Sequence, residues 1–152
     1  MIRKLSNSSF STSKTIYEVF QASYAVEAKL LNVRDFPPLR RTAEDIRNSG
    51  SEFYGFYEGK ELAGVVEIGS NTDLTEIQGL VVHPRFFRQG IAKKLVLFVL
   101  QSFQSKKYIV ETAVENTPAC DLYLKLDFKK SKRWNTPDGY HIIRFERKQE
   151  RG

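Results

Sequence analysis

From Ser13 to Asn32 the apolar residues Ile16, Val19, Phe20, Tyr24, Leu30 and Leu31 recur at mostly helical spacing, which predicts an amphipathic helix. Ser11, Thr12 and Ser13 are its candidate N-caps. Upstream, Ile2 to Leu5 predicts a short strand. Phe36-Pro37-Pro38 ends the helix in a rigid loop, because proline fixes its own φ and restrains the residue before it. Thr42 can cap a short helix over Ala43 to Asn48. The pattern then changes. Phe53 to Tyr57 is aromatic-rich, Glu58-Gly59-Lys60 is a turn signal, and Leu62 to Ile68 is β-prone; together they predict a hairpin. Asn71-Thr72-Asp73 turns into a further strand, Thr75 to Val82, which stops at His83-Pro84. Ile91 to Phe103 carries a broad apolar face of Leu95, Val96, Phe98, Val99 and Leu100, the mark of a long helix packed on a sheet. Tyr108 to Val114 is strand-like. Pro118 suits the first turn of a helix capped by Asn116 or Thr117, with Ala119, Leu122, Tyr123 and Leu126 on one stripe. Tyr140 to Phe145 predicts the last strand. This order is α+β, with one central strand–helix–strand unit.

Length and composition narrow the class. A chain of 152 residues, 41% hydrophobic and 28% charged, is read as one ordinary domain over 1–152 with a proper core. No apolar run approaches the ~18 residues of a membrane span, the N-terminus lacks a signal-peptide apolar stretch, and Cys120 is the lone cysteine. The expectation is a cytoplasmic protein with no membrane partner. A net charge of +6 favours anionic partners, either nucleic acid or a phosphorylated cofactor. The basic run Lys125 to Arg133 and the tail residues Arg144, Arg147, Lys148 and Arg151 also fit a plain solvated face. His83 and His141 stand isolated, without metal-ligand spacing, so no metal is expected. Cys120 reads as a structural thiol.

The chemistry concentrates after Val82. A strand ends at Pro84, and the loop Arg85-Phe86-Phe87-Arg88-Gln89-Gly90 opens straight into the helix at Ile91, Ala92 and Lys93. The first turn of a helix leaves unpaired N–H groups and a partial positive charge. With Gly90 and Ala92 small, those groups can cradle a pyrophosphate, and Arg88 adds a cation. Taken alone, a glycine before a helix is equally a turn.

Val82, Pro84, Gly90 and Ala92 fit V-x-P-x-x-[RQ]-x-x-G-x-[GA] ahead of an amphipathic helix. Downstream, Asn116-Thr117-Pro118-Ala119 with Leu122-Tyr123 and Phe128 fits N-x-x-A-x-x-L-Y-x-x-x-G-F. The chain thereby resembles the GNAT superfamily of N-acetyltransferases. That resemblance implies a central mixed, mostly antiparallel sheet of six to seven strands flanked by helices, with the acetyl-CoA-binding core over residues 75–128. Two positions depart from the pattern. Phe87 stands where the family has Arg or Gln, so Arg88 or Arg85 would have to supply that charge. Asp127 replaces a glycine at a site suited to a left-handed turn, which Asp tolerates.

The resemblance also implies roles. The backbones of Val81 and Val82 would pair with pantetheine in a wedge between splayed strands. Arg88, Gln89, Gly90, Ile91, Ala92 and Lys93 would hold the pyrophosphate, with Asn116, Ala119 and Tyr123 along the cofactor. Asn116 has helix capping as its competing use. Tyr123 would protonate or hydrogen-bond the departing thiolate. Glu76 stands at the offset of the histone-acetylating branch's glutamate base, with Glu67 or a water as alternatives. Strand alternation places Glu76, Gln78 and Leu80 on one face unless a bulge intervenes. Tyr24, Phe36 and Gln78 are candidate acceptor contacts, in an aromatic and basic region that also holds Tyr17, Arg40, Arg41 and Trp134. The acceptor is an amine of a small molecule or peptide. A non-catalytic acetyl-CoA sensor is the first alternative; a nucleic-acid module lacks any motif of its own. A homodimer stays open.

Overall fold

The computed structural model describes residues 1–149, so Arg151 lies outside the described part. Its elements are β1 (Ile2–Leu5), α1 (Phe10–Leu31), a 3-10 turn (Pro37–Arg40), α2 (Ala43–Arg47), β2 (Glu52–Glu58), β3 (Glu61–Ser70) and β4 (Leu74–Val82). A second 3-10 turn (Pro84–Phe86) leads to α3 (Ile91–Ser102), β5 (Lys107–Ala113), α4 (Thr117–Lys125), β6 (Lys129–Asn135) and β7 (His141–Lys148). The seven strands form one sheet in the order β1-β2-β3-β4-β5-β7-β6. Every pairing is antiparallel except β4 with β5.

The two faces of the sheet bury different residues, as strand alternation requires. On one, Val65 and Val81 pack with Ile16, Val19 and Phe20 of α1 and Ile46 of α2. On the other, Val66, Ile68 and Ile77 meet Leu95, Val96 and Val99 of α3, together with Tyr123 of α4. Gly64 lies under α3, where a Cβ would come within 2.9 Å of Ile91 Cγ2. A bare backbone there lets the helix sit close to the sheet.

Local chemistry sets the boundaries. Helix α1 begins earlier than its periodicity predicts, at Phe10, because Ser9 is the cap and its Oγ accepts from Thr12 N at 3.5 Å. The exposed Phe10 hides this start: it faces away from the core and lies under the Arg47 guanidinium, 4.0 Å from its centroid. Thr42 and Asp45 form a reciprocal capping box on α2. Asp127 takes φ +68° after α4, and Phe128 N bonds back to Tyr123 O at 3.0 Å. One strand is unforeseen. The run Lys129–Asn135 is an edge strand whose side chains are nearly all exposed. Its lysines give no alternation to read, and such charges are what keep an open sheet edge from pairing with other chains. Trp134 stands on β6, beneath Lys132 Nζ at 5.3 Å.

Leu95 is fully buried between α3 and the sheet. Leu95→Ala should cost about 3 kcal/mol, from lost transfer energy plus the cavity left behind. Urea denaturation of the two proteins measures it, and an unshifted midpoint would mean α3 is not packed as described.

Candidate active site

Strands β4 and β5 pair only over Leu74–Ile77 and Lys107–Val110. Beyond that point they part, and the β5-facing edge of β4 from Gln78 to Val82 has no strand beside it among the described residues. A cavity of about 850 Å³ fills the wedge, with Gln78, Gly79, Leu80 and Val82 on one side and Glu111, Thr112 and Ala113 on the other. The cause is a bulge: Glu67 pairs with Gly79 but Ile68 with Ile77, leaving Gln78 as the extra residue. Bulges bend a strand and increase its twist.

The bulge also corrects the expected facing of this strand. Glu76 pairs with Gly69, and the Gln78 amide nitrogen lies 2.7 Å from where a Gly69 Cβ would stand. Both therefore keep to the α1 face. Leu80 pairs with Val66 and packs with the α3 cluster, so it has changed sides.

The loop after β4 forms the cavity's mouth. His83 Nδ1 accepts from Arg85 N at 3.2 Å and starts the 3-10 turn. Arg88 and Gly90 then adopt left-handed backbone, φ +64° and +74°. For Arg88 this costs about 1 kcal/mol. A Cβ at Gly90 would touch no protein atom, so what glycine supplies toward the chain itself is the backbone conformation. Gly90 is the N-cap of α3 and offers no side-chain acceptor; the first-turn N–H groups stay available to an anion. Arg88, Gln89, Gly90, Ile91, Ala92 and Lys93 all line the cavity, as does Phe87, which is 41% exposed and brings no polar atom.

At the deep end stand aromatic rings and one carboxylate. Tyr123 is 3% exposed, wedged between Phe128 and Phe145 at 5.6 Å from each. It lines the cavity, and its hydroxyl, which is not itself sealed off, makes no hydrogen bond among the described residues. Burial pushes its pKa well above the usual phenol value, so it stays a neutral donor. Tyr24, Phe36 and Tyr140 form a second wall, with edge-on contacts at 6.0 and 5.6 Å. Glu27 of α1 points into the same space, and Asn116 Nδ2 donates to its Oε2 at 2.8 Å. Burial raises the Glu27 pKa, and the Asn116 hydrogen bond partly opposes that.

The remaining expected residues divide. Gln78 and Ala119 line the cavity, and Gln78 Oε1 accepts from Ser51 Oγ at 2.6 Å. Asn116 lines it too, but its amide goes to Glu27 while its Oδ1 caps α4 through Ala119 N at 3.3 Å. Val81 does not line it; its side chain is buried under α1. Glu76 is also absent from the wall. It lies in the stretch of β4 still flanked by Gly69 and Ile109, before the wedge opens. Glu67 is held in a bidentate pair by Arg41, at 2.6 and 2.9 Å. Arg40 is likewise engaged, by Asp35. The Cys120 thiol is pushed up by burial and stays protonated. Sequence reading missed Glu27, Glu111 and Tyr140. Glu27 did leave a signal: with Tyr24 it continues the stripe of Ile16 and Phe20, and a carboxylate on an apolar stripe is an anomaly that burial must explain.

Comparison with known proteins agrees with this geometry. Residues 14–128 match the model of the Acetyltransferase (GNAT) family. The UPF0157 protein YqkA of Bacillus subtilis (strain 168) is 31% identical over 140 residues, which cover 91% of this chain and 41% of that protein. A streptothricin acetyltransferase of Escherichia coli is 30% identical over 119 residues, or 74% of this chain and 68% of that one. The chain thus spans less than half of the first relative's length. Among solved structures, the PaiA N-acetyltransferase of Thermoplasma acidophilum, in complex with coenzyme A, superposes with a TM-score of 0.76 at 19% identity. It covers 97% of this chain and 98% of that one, and at that identity the likeness is one of fold.

The Arg41–Glu67 pair gives a stability prediction. Glu67 is 4% exposed and Arg41 30%, so Arg41→Met strands a buried carboxylate and should cost about 3 kcal/mol. Adding Glu67→Gln should restore most of the loss. Urea midpoints of the single and double variants decide it; equal midpoints for wild type and Arg41→Met would show that the pair contributes nothing.

Proposed function

Because the chain belongs to the acetyltransferase (GNAT) family, we propose that it binds acetyl-coenzyme A in the β4–β5 wedge and transfers the acetyl group to an amine by direct attack. The observation that carries this reading is the continuity of one cavity, from the uncapped N-terminus of α3 to the unpartnered Tyr123 hydroxyl. At one end the N–H groups of Ile91, Ala92 and Lys93, with Arg88, suit a pyrophosphate. Between them, the free edge of Gln78 to Val82 presents backbone groups to an extended amide-containing arm, in the manner of strand addition. The volume fits a cofactor of this size.

Acetyl-coenzyme A supplies an activated thioester carbonyl. The chain's own residues do the rest. An amine with an ordinary pKa of about 10.4 arrives protonated, and its proton must leave before nitrogen can form the new C–N bond. Glu27 is the base we assign, in place of Glu76, because it alone of the glutamates considered for that task faces the cavity beside Tyr123. Tyr123 would offer its O–H as the hydrogen-bond donor to the departing sulfur, and the proton that Glu27 took from the amine would be available to neutralise the thiolate. The raised pKa of Tyr123 keeps it a neutral donor throughout. The acceptor is an amine of a small molecule or peptide; streptothricin belongs in the test set because one relative is named for it.

Titration calorimetry with acetyl-CoA and thiol release across an amine panel test the whole reading. Tight binding without thiol release from any amine would make the protein a sensor; no binding would overturn the proposal outright. Tyr123→Phe should lower turnover on the order of 10²-fold and leave cofactor affinity nearly unchanged. For Glu27 the expected effect is on pH: the base works only when ionised, so activity should fall as pH drops through a pKa above the ordinary carboxylate value. Glu27→Gln should remove that acidic limb along with most of the rate. A limb that persists in Glu27→Gln would assign the proton to another group.

A further inference from the structure

Resting on that reading, we infer that the acceptor is a cationic amine with no carboxylate near its reacting nitrogen, and that Glu27 is the residue that receives it. Charge around the cavity is segregated. Its lining cations are Arg88 and Lys93 at the α3 end and Lys125. Lys125 lies nine residues along α4 from Asn116, the partner of Glu27, or about 13 Å of helix. The lining carboxylates are Glu27 and Glu111. Glu111 is already neutralised, since Arg144 donates to its Oε2 at 2.9 and 2.7 Å. Glu27 takes part in no ion pair among the described residues. Its surroundings are Tyr24, Tyr123 and Tyr140, each of which feels its charge, and the Asn116 amide.

A carboxylate set among rings without a counter-ion is held at a cost. An entering ammonium group removes that cost, and aromatic rings such as those of Tyr24, Phe36 and Tyr140 attract the same charge where it meets their faces. The arginines that would greet a substrate carboxylate are spent, Arg40 on Asp35 and Arg41 on Glu67. An acid group beside the reacting nitrogen would meet the Glu27 carboxylate among the rings of Tyr24, Phe36 and Tyr140. Independently of the carboxylate, Tyr123, a buried ring whose hydroxyl makes no hydrogen bond among the described residues, lines the same space.

A matched pair of probes separates the charges: phenethylamine and phenylalanine differ only in the carboxylate. Each is titrated calorimetrically into the whole protein, with and without coenzyme A, and into Glu27→Gln, an isosteric change that keeps the Asn116 hydrogen bond. Phenethylamine should bind at least about tenfold more tightly than phenylalanine, and Glu27→Gln should weaken it by about tenfold while coenzyme A affinity stays within about twofold. Equal or tighter binding of phenylalanine, an unchanged phenethylamine affinity in Glu27→Gln, or no phenethylamine binding at millimolar concentration would each overturn the inference. Failure of coenzyme A to bind appears in its own titration and strikes the acetyltransferase reading instead, since the amine titrations are read either way.

Discussion

The short pairing of β4 with β5 is the constraint from which the rest follows. A parallel pair needs a crossover, and here the crossover is the loop from Pro84 to Gly90 followed by α3. That geometry brings the α3 N-terminus to the carboxyl end of β4, where ligands of open sheets commonly bind. At the start of the pair a hydroxyl chain, Ser70–Thr75–Ser105, with Thr75 and Ser105 buried, ties β3 and β4 to the segment that enters β5, with 2.6 Å between Ser70 and Thr75 and again between Thr75 and Ser105. At the far end the Gln78 bulge turns β4 away. One end is laced and the other is free, so the sheet opens like a hinge held at its root. The anion cradle and the wedge are two consequences of a single topology.

Much of this was legible in the chain. Elements that bury one face announced themselves by period: α3 through Leu95, Val96 and Val99, and α4 through Leu122, Tyr123 and Leu126. The left-handed turn expected at Asp127 is found there, whereas Gly90, read for its small size, proves to serve by its positive φ. What escaped had no period to show. β6 is an edge strand with almost no buried side chain, and its lysines read equally well as a solvated loop. The facing of Leu80 escaped because a bulge is a property of the register between strands, which one strand's sequence does not encode. The position of Glu27 relative to Asn116, far apart in sequence, is set by how α1 lies across the sheet.

That distant contact accounts for the double use of Asn116. Its Oδ1 serves the helix, satisfying one of the free N–H groups at the start of α4. Its Nδ2 serves the cavity by orienting Glu27. Capping and site chemistry looked like competitors for one side chain, yet an amide has a donor end and an acceptor end. Fixing the first at α4 aims the second at α1. The cap thereby couples the helix that carries Tyr123 to the helix that carries Glu27.

The same coupling bears on the protonation of a carboxylate and a phenol that line one cavity. Burial acts on both groups by disfavouring charge, so it raises both pKa values. For Tyr123 this moves ionisation out of range, leaving a permanent donor. For Glu27 the rise is held in check by the Asn116 hydrogen bond, which favours the charged form. Each ionised Glu27 further discourages ionisation of Tyr123, since a second negative charge would share the same apolar space. One environment therefore drives the two groups apart, toward the proton acceptor and the proton donor of the proposed reaction. Repulsion of like charge makes the proposed assignment self-consistent: the charge on Glu27 favours a protonated Tyr123.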